Sequence, residues 1–235
     1  MINDYQVGAF RGRKTIQRSG EIGGARSVFV KLQGNKNELV YPTFGGFIQN
    51  PFKGQAKLFA GDLIEYRTEA NGKSPKLYIL KTFLVKGAVE DGATTIVIAG
   101  DGYKHIPFAG DILMVAPDDV SKTGKAVTVT AVKKVNETYE LTLSATLGAI
   151  EDGAVLVEAE AAGADQKMVV TNPNTCAPAD YDMFYAPATG DEDFDGARYF
   201  IEPVLHEVAF IEKMSPLPEC IKKLNKSRIN GWFEL

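Results

Sequence analysis

The sharpest chemical pattern in the chain is acidic. Asp191-Glu192-Asp193-Phe194-Asp195-Gly196, followed by Glu202, fits the spacing D-x-D-x-D-G-x5-E of a calcium loop. Alternating carboxylates would supply the several hard oxygens that Ca²⁺ takes, and Gly196 would allow the sharp bend. The flanks favour an exposed acidic turn instead. Pro187 and Gly190 precede the motif, Pro203 follows Glu202 directly, and Arg198 stands at a loop position that is usually apolar. No metal or other cofactor is therefore expected, with Asp191, Asp193, Asp195 and Glu202 left as the open question. Gly72-Lys73-Ser74 ends like a phosphate-binding loop, but Arg67 stands where the earlier glycine is required, so the segment reads as a hairpin turn. The two histidines, His105 and His206, and the two cysteines, Cys176 and Cys220, have no partners at catalytic or zinc spacing. Structural roles are expected for all four. The sequence has no Gly-x-Ser-x-Gly elbow and no His-Glu-x-x-His pair, and no carboxylate pair stands out from the acidic background. The expectation is a protein that is not an enzyme, with no catalytic residues.

Charge is more informative than its total. The chain of 235 residues carries a net −4, but residues 1–80 hold 12 basic and 6 acidic side chains. Residues 81–165 hold 7 and 13, and residues 166–235 hold 7 and 11. The basic excess begins at Arg11, Arg13, Lys14, Arg18 and Arg26. It predicts either a solvated segment or an arm that meets an acidic surface. Direct nucleic-acid binding is not expected, because few aromatics interleave the basic residues and the remainder is acidic. Apolar content of 45% with 24% charged residues excludes disorder of the whole chain. No run reaches membrane-spanning length, and Met1–Tyr5 does not begin a signal peptide, so no membrane association is expected.

The elements that must carry these residues read as mainly β. Residues 1–27, with scattered glycines and no apolar period, read as an extended basic N-terminal arm. Residues 28–85 read as an N-terminal β region, with strands at 28–32, 58–67 and 76–85 and a tight turn at Asn71-Gly72. Its aromatic loop offers Phe44, Phe47 and Phe52, either as core or as apolar anchors for a neighbouring subunit. Residues 86–165 read as a β-barrel or sandwich domain, with strands at 93–99, 111–115, 126–132, 139–143 and 155–159. Residues 166–235 read as an acidic C-terminal region with little helix and a docked terminus around Trp232. Its helical candidates are 178–185, behind Asn174-Thr175, and 217–226, where Pro218 suits a first turn.

Two segments echo each other across the chain. Phe59-Ala60-Gly61-Asp62-Leu63 recurs as Phe108-Ala109-Gly110-Asp111-Ile112, and residues 87–93 recur as 148–154. The unequal offsets exclude a regular repeat array, so one local solution used twice is expected: a Gly-Asp or Asp-Gly turn ahead of a buried strand.

The middle of the chain resembles virion proteins of tailed bacteriophages. The resemblance rests on the Phe108–Leu113 turn and strand, the alternating Lys125–Val132 run, Leu141-Thr142-Leu143-Ser144 and Asp152–Leu156. Across residues 28–165 it is similar to auxiliary capsid (decoration) or head-fibre proteins of the crAss-like phages of gut Bacteroidales. The Ile229-Asn230-Gly231-Trp232-Phe233 ending is similar too. The resemblance implies a virion structural protein on the capsid surface, made in the host cytoplasm, with the major capsid protein as partner. It implies no catalytic residue. Self-association is expected, with a trimer favoured by the local threefold axes of shells. The residues expected to meet the shell are Arg11, Arg13, Lys14 and Arg18 by charge and Phe44, Phe47 and Phe52 by apolar contact. The alternatives are a head-fibre or tail/neck component, and a β-type carbohydrate-binding module using Tyr181, Phe184, Tyr185, Phe194, Tyr199 and Phe200.

Overall fold

The computed structural model describes residues 45–68, 75–100, 102, 104–183, 200–203, 209–210, 215–224 and 232–233. The basic arm with Arg11, Arg13, Lys14 and Arg18, the expected strand at 28–32, Phe44, the Asn71-Gly72 turn, Asp191, Asp193, Asp195 and His206 lie outside the described residues.

The described fold is mainly β, as the alternating texture predicts. Two larger sheets share the work. The first has five strands in the order β12-β3-β4-β1-β14. They are β1 (Gly46–Ile48), β3 (Leu63–Arg67), β4 (Lys76–Ile79), β12 (Thr175–Cys176) and β14 (Phe200–Ile201). β1 and β4 run parallel, and the other neighbours run antiparallel. The sheet therefore draws strands from both ends of the chain. The second follows the path β5-β10-β7-β8-β9-β6. Its strands are β5 (Thr82–Leu84), β6 (Thr95–Ala99), β7 (Ile112–Val115), β8 (Gly124–Val135), β9 (Thr138–Leu143) and β10 (Val155–Glu158). β11 (Gly163–Gln166) adds to β8 beside this path. The path curls until its end strands touch: Val85 bridges Ile98, and the Lys86 N–H donates to the Val97 carbonyl at 2.8 Å. The sheet stays unclosed, because this contact, not a ladder, joins its ends. Among the described residues two small pairs complete the β structure: β2 (Ala56–Leu58) with β13 (Tyr181–Met183), and β15 (Ala209–Phe210) with β16 (Trp232–Phe233). One short helix, α1 (Glu219–Lys223), falls inside the expected 217–226 segment. No helix among the described residues is long and apolar enough to cross a membrane.

Successive side chains on a strand point to opposite faces, and here the two faces serve different cores. Leu113, Val127 and Leu156 point into the curled sheet, where they pack with Phe83, Ile96, Ile98 and Leu141. Their chain neighbours Met114, Ala126 and Val157 point outward into a seam that they share with Leu63 and Cys176 of the five-stranded sheet and with Leu217, Cys220 and Ile221 around α1. On the far side, Ile64, Leu77 and Ile79 pack with Ile48, Phe52, Leu58 and Met183. The alternation in β8 agrees with the sequence reading: Val127 and Val129 are buried, while Thr130 is exposed.

Three expectations are corrected. The strand expected over 58–67 is two strands, because residues 59–62 form a turn. The strand expected over 76–85 is also two. β4 belongs to the five-stranded sheet and β5 to the curled one, with the chain crossing between them at Leu80 and Lys81. The helix expected over 178–185 is replaced at Tyr181–Met183 by β13, paired with β2. The cap-like residues ahead of it are spent elsewhere. Asn174 accepts from the Tyr66 N–H at 2.8 Å and donates to the Tyr66 carbonyl at 3.1 Å, and the Thr175 hydroxyl donates to the Ile64 carbonyl at 2.9 Å.

Candidate functional site: polar joints at the seam

The echoed pentapeptides fold alike. In each, the aspartate N–H donates to the phenylalanine carbonyl three residues back: Asp62 to Phe59 at 3.0 Å and Asp111 to Phe108 at 3.1 Å. In each, the aspartate carboxylate accepts the phenylalanine N–H in return, at 2.6 Å for Phe59 and 2.8 Å for Phe108. The third turn position needs positive φ, and Gly61 and Gly110 supply +89° and +92°. The expectation of one local solution used twice holds. The second echo goes further: its two copies pair with each other through the antiparallel bridge between Val89 and Ile150.

The twin aspartates have different surroundings. Asp62 is 1% exposed and is the hub of a buried cluster. Its Oδ1 accepts the Ser215 hydroxyl at 2.5 Å, and its Oδ2 lies 3.0 Å from His105 Nε2. The other ring nitrogen, His105 Nδ1, lies 3.1 Å from the Thr82 backbone nitrogen, whose N–H can only donate. Nδ1 therefore carries no proton, and the ring proton sits on Nε2, facing Asp62. The Phe52 ring, 5.3 Å from the imidazole between centroids, and the Phe83 ring close the sides.

An Asp, a His and a Ser in mutual contact invite comparison with a nucleophile relay, and the geometry is different. In a relay the carboxylate holds one ring nitrogen and the hydroxyl addresses the other. Here Ser215 Oγ, 3.3 Å from Nε2, shares that nitrogen with Asp62, and Nδ1 is closed by Thr82. The hydroxyl donates its hydrogen bond to the carboxylate directly. Asp62, His105 and Ser215 are each at most 4% exposed, so a substrate would have no approach to them. The cluster fastens four segments: the turn before β3, the first residue of β5, the loop before β7 and the segment before α1.

Asp111 has a single donor on Oδ2, from Phe108, and its Oδ1 is buried with no hydrogen-bond partner among the described residues. Burial pushes its carboxyl above the ordinary range, opposed by the positive charge of Lys81. Lys81 is itself buried. Its ammonium donates to Glu158 Oε1 at 2.8 Å and to the Pro51 carbonyl at 3.0 Å. Asn50 bonds the second Glu158 oxygen at 2.6 Å and brackets Ile79, donating to its carbonyl and accepting its N–H. A third joint lies at the other end of β3. Glu65 accepts the N–H groups of Thr171 and Asn172 at 2.8 and 3.0 Å, and it pairs with Arg67, which reaches the Val169 carbonyl at 2.6 Å. Side chains of the five-stranded sheet are thus tied to the curled sheet and to the chain that leaves it.

The expected contact residues separate. Phe52 is 1% exposed and takes the core role of the two open to it, so it leaves the set of surface anchors. Phe47 is half-buried on β1. Glu202 is exposed, and among the described residues no group of three or more His, Cys, Asp or Glu could hold a metal ion. Tyr181, considered for glycan contact, is half-buried against the far core. Comparison with known proteins found no matching family model and no matching curated protein.

Proposed function

We propose that the chain is a virion structural protein of the auxiliary or decoration type, bound to a shell of major capsid protein in a crAss-like tailed phage. The observation that supports this most is the division of charge: +6 over residues 1–80 against −10 over the remainder. A molecule so divided has one end drawn to an acidic surface and one end repelled by it. The polar joints at the seam support the same reading, because they spend buried charge on holding two sheets as one body. In this proposal Arg11, Arg13, Lys14 and Arg18 make the electrostatic shell contact, and Phe44 and Phe47 add apolar contact. The protein sits on the capsid surface, favours a trimer and is assembled in the host cytoplasm. A head-fibre or tail component would share the architecture and differ in copy number.

The test is co-sedimentation of the full-length protein with shells of the major capsid protein over a salt series. Binding should weaken steeply with salt, since exposed charges more than ~8 Å apart are screened at physiological ionic strength. Replacing Arg11, Arg13, Lys14 and Arg18 together by alanine should flatten that dependence. Binding unchanged in molar salt would overturn the basic contact, and no binding at any salt would overturn the role.

A further inference from the structure

We propose that residues 215–224 form a strap that opens and closes as a unit over the seam while both sheets stay folded. The proposal rests on how the strap is attached and is independent of the proposed role. Leu217, Cys220 and Ile221 are buried in the seam core. The backbone bonds of residues 216–224 all end inside the segment: Ile221 and Lys222 donate to the Pro218 carbonyl, and Leu224 donates to that of Ile221. The Lys222–Glu219 ion pair is internal as well. Among the described residues, then, the strap is held by apolar side chains and by the Ser215 hydroxyl, which donates to Asp62 and lies 3.3 Å from His105 Nε2.

The opposite wall of the seam is built differently. Cys176 lies on β12, which is laddered to β3 through Thr175–Ile64 and Cys176–Leu63. It cannot leave without opening a sheet. The strap can, and its helix of five residues has no side-chain cap at Pro218. A helix so short is not stable once detached, so release means local unfolding of the whole strap. Opening uncovers Met114, Ala126, Val157 and Met168, which are 0–2% exposed when it is closed.

Cys220 is a built-in reporter, because its buried thiol reacts only when the strap lifts. The experiment exposes the full-length protein to excess maleimide under native conditions and follows Cys220 by peptide mass spectrometry. Amide exchange of β8 and β9 is measured in parallel as the readout of global opening. The strap predicts that Cys220 reacts far faster than those amides open. It also predicts that Ser215→Ala speeds Cys220 about tenfold, the loss of one net hydrogen bond, while Cys220 stays far faster than the β8 and β9 amides. Labelling of wild-type Cys220 only at the rate of β8 and β9 opening would overturn the proposal without any variant. Cys220 labelling at the wild-type rate in Ser215→Ala would overturn the Ser215 attachment too.

Discussion

The twin turns offer one substitution in two environments. Asp62→Asn and Asp111→Asn change the same atom in the same backbone setting, so any difference between them comes from the side-chain surroundings. Asp62 accepts from Phe59 N–H, Ser215 Oγ and His105 Nε2. A hydrogen bond to a charged group is worth roughly 1 kcal/mol more than a neutral one, so neutralising the acceptor of these three described donors should cost ~3 kcal/mol. Asp111 accepts one donor, and its second oxygen has no partner among the described residues. Asn at 111 loses about 1 kcal/mol at that bond and removes a buried charge that costs a comparable amount, leaving a change within ~1 kcal/mol at neutral pH. The two variants should also differ in pH dependence. The Asp111 carboxyl is raised in the fold, first by burial. Above the ordinary carboxylate range the folded state keeps a proton that the unfolded chain has released. The stability contributed by this group therefore falls as pH rises through that window, by about 1.4 kcal/mol for each unit of raise. Asp111→Asn should abolish that component. The assay is urea unfolding of wild type and both variants from acidic to mildly alkaline pH. Equal losses for the two variants, or a loss below about 1 kcal/mol for Asp62→Asn, would refute the assignment of Asp62 as the hub.

Other perturbations should read the remaining joints. Lys81→Met strands the mostly buried Glu158 carboxylate and should cost ~3 kcal/mol, whereas Lys81→Met with Glu158→Leu should lose less than Lys81→Met alone; a double variant worse than the single would contradict this. Gly46→Ala would put a Cβ 2.5 Å from the Pro75 carbonyl oxygen, beside the parallel β1–β4 pair, and should lower the unfolding midpoint by the equivalent of ~2 kcal/mol. Gly92→Ala meets nothing within 4 Å and carries only the strain of its +91° φ, so it should cost about 1 kcal/mol and leave the far-ultraviolet dichroism unchanged.

Period-two alternation made β9 and much of β8 legible, whereas β7 and β10, buried on both faces, read as short continuous apolar runs. The breaks were not legible. Residues 59–62 read as continuous strand because Phe59, Ala60 and Leu63 are apolar, and the turn shows only through the second copy of Phe-Ala-Gly-Asp. At Leu80 and Lys81 the chain changes sheets on a buried lysine, a residue whose type predicts exposure. The Asp62–His105–Ser215 cluster joins residues 43 and 110 positions from His105, so no local pattern could assemble it. The Asn174-Thr175 signal was a sound capping pattern that the fold uses to clasp β3 instead.

The proposed place in a virion is read by quantitative mass spectrometry of purified phage particles, with the chain's copy number taken relative to the major capsid protein. A shell-wide auxiliary protein should be present in the hundreds of copies by order of magnitude, since it repeats on a closed symmetric lattice. A few tens of copies would move it to a vertex fibre or tail part, and absence from the particles would contradict the claim.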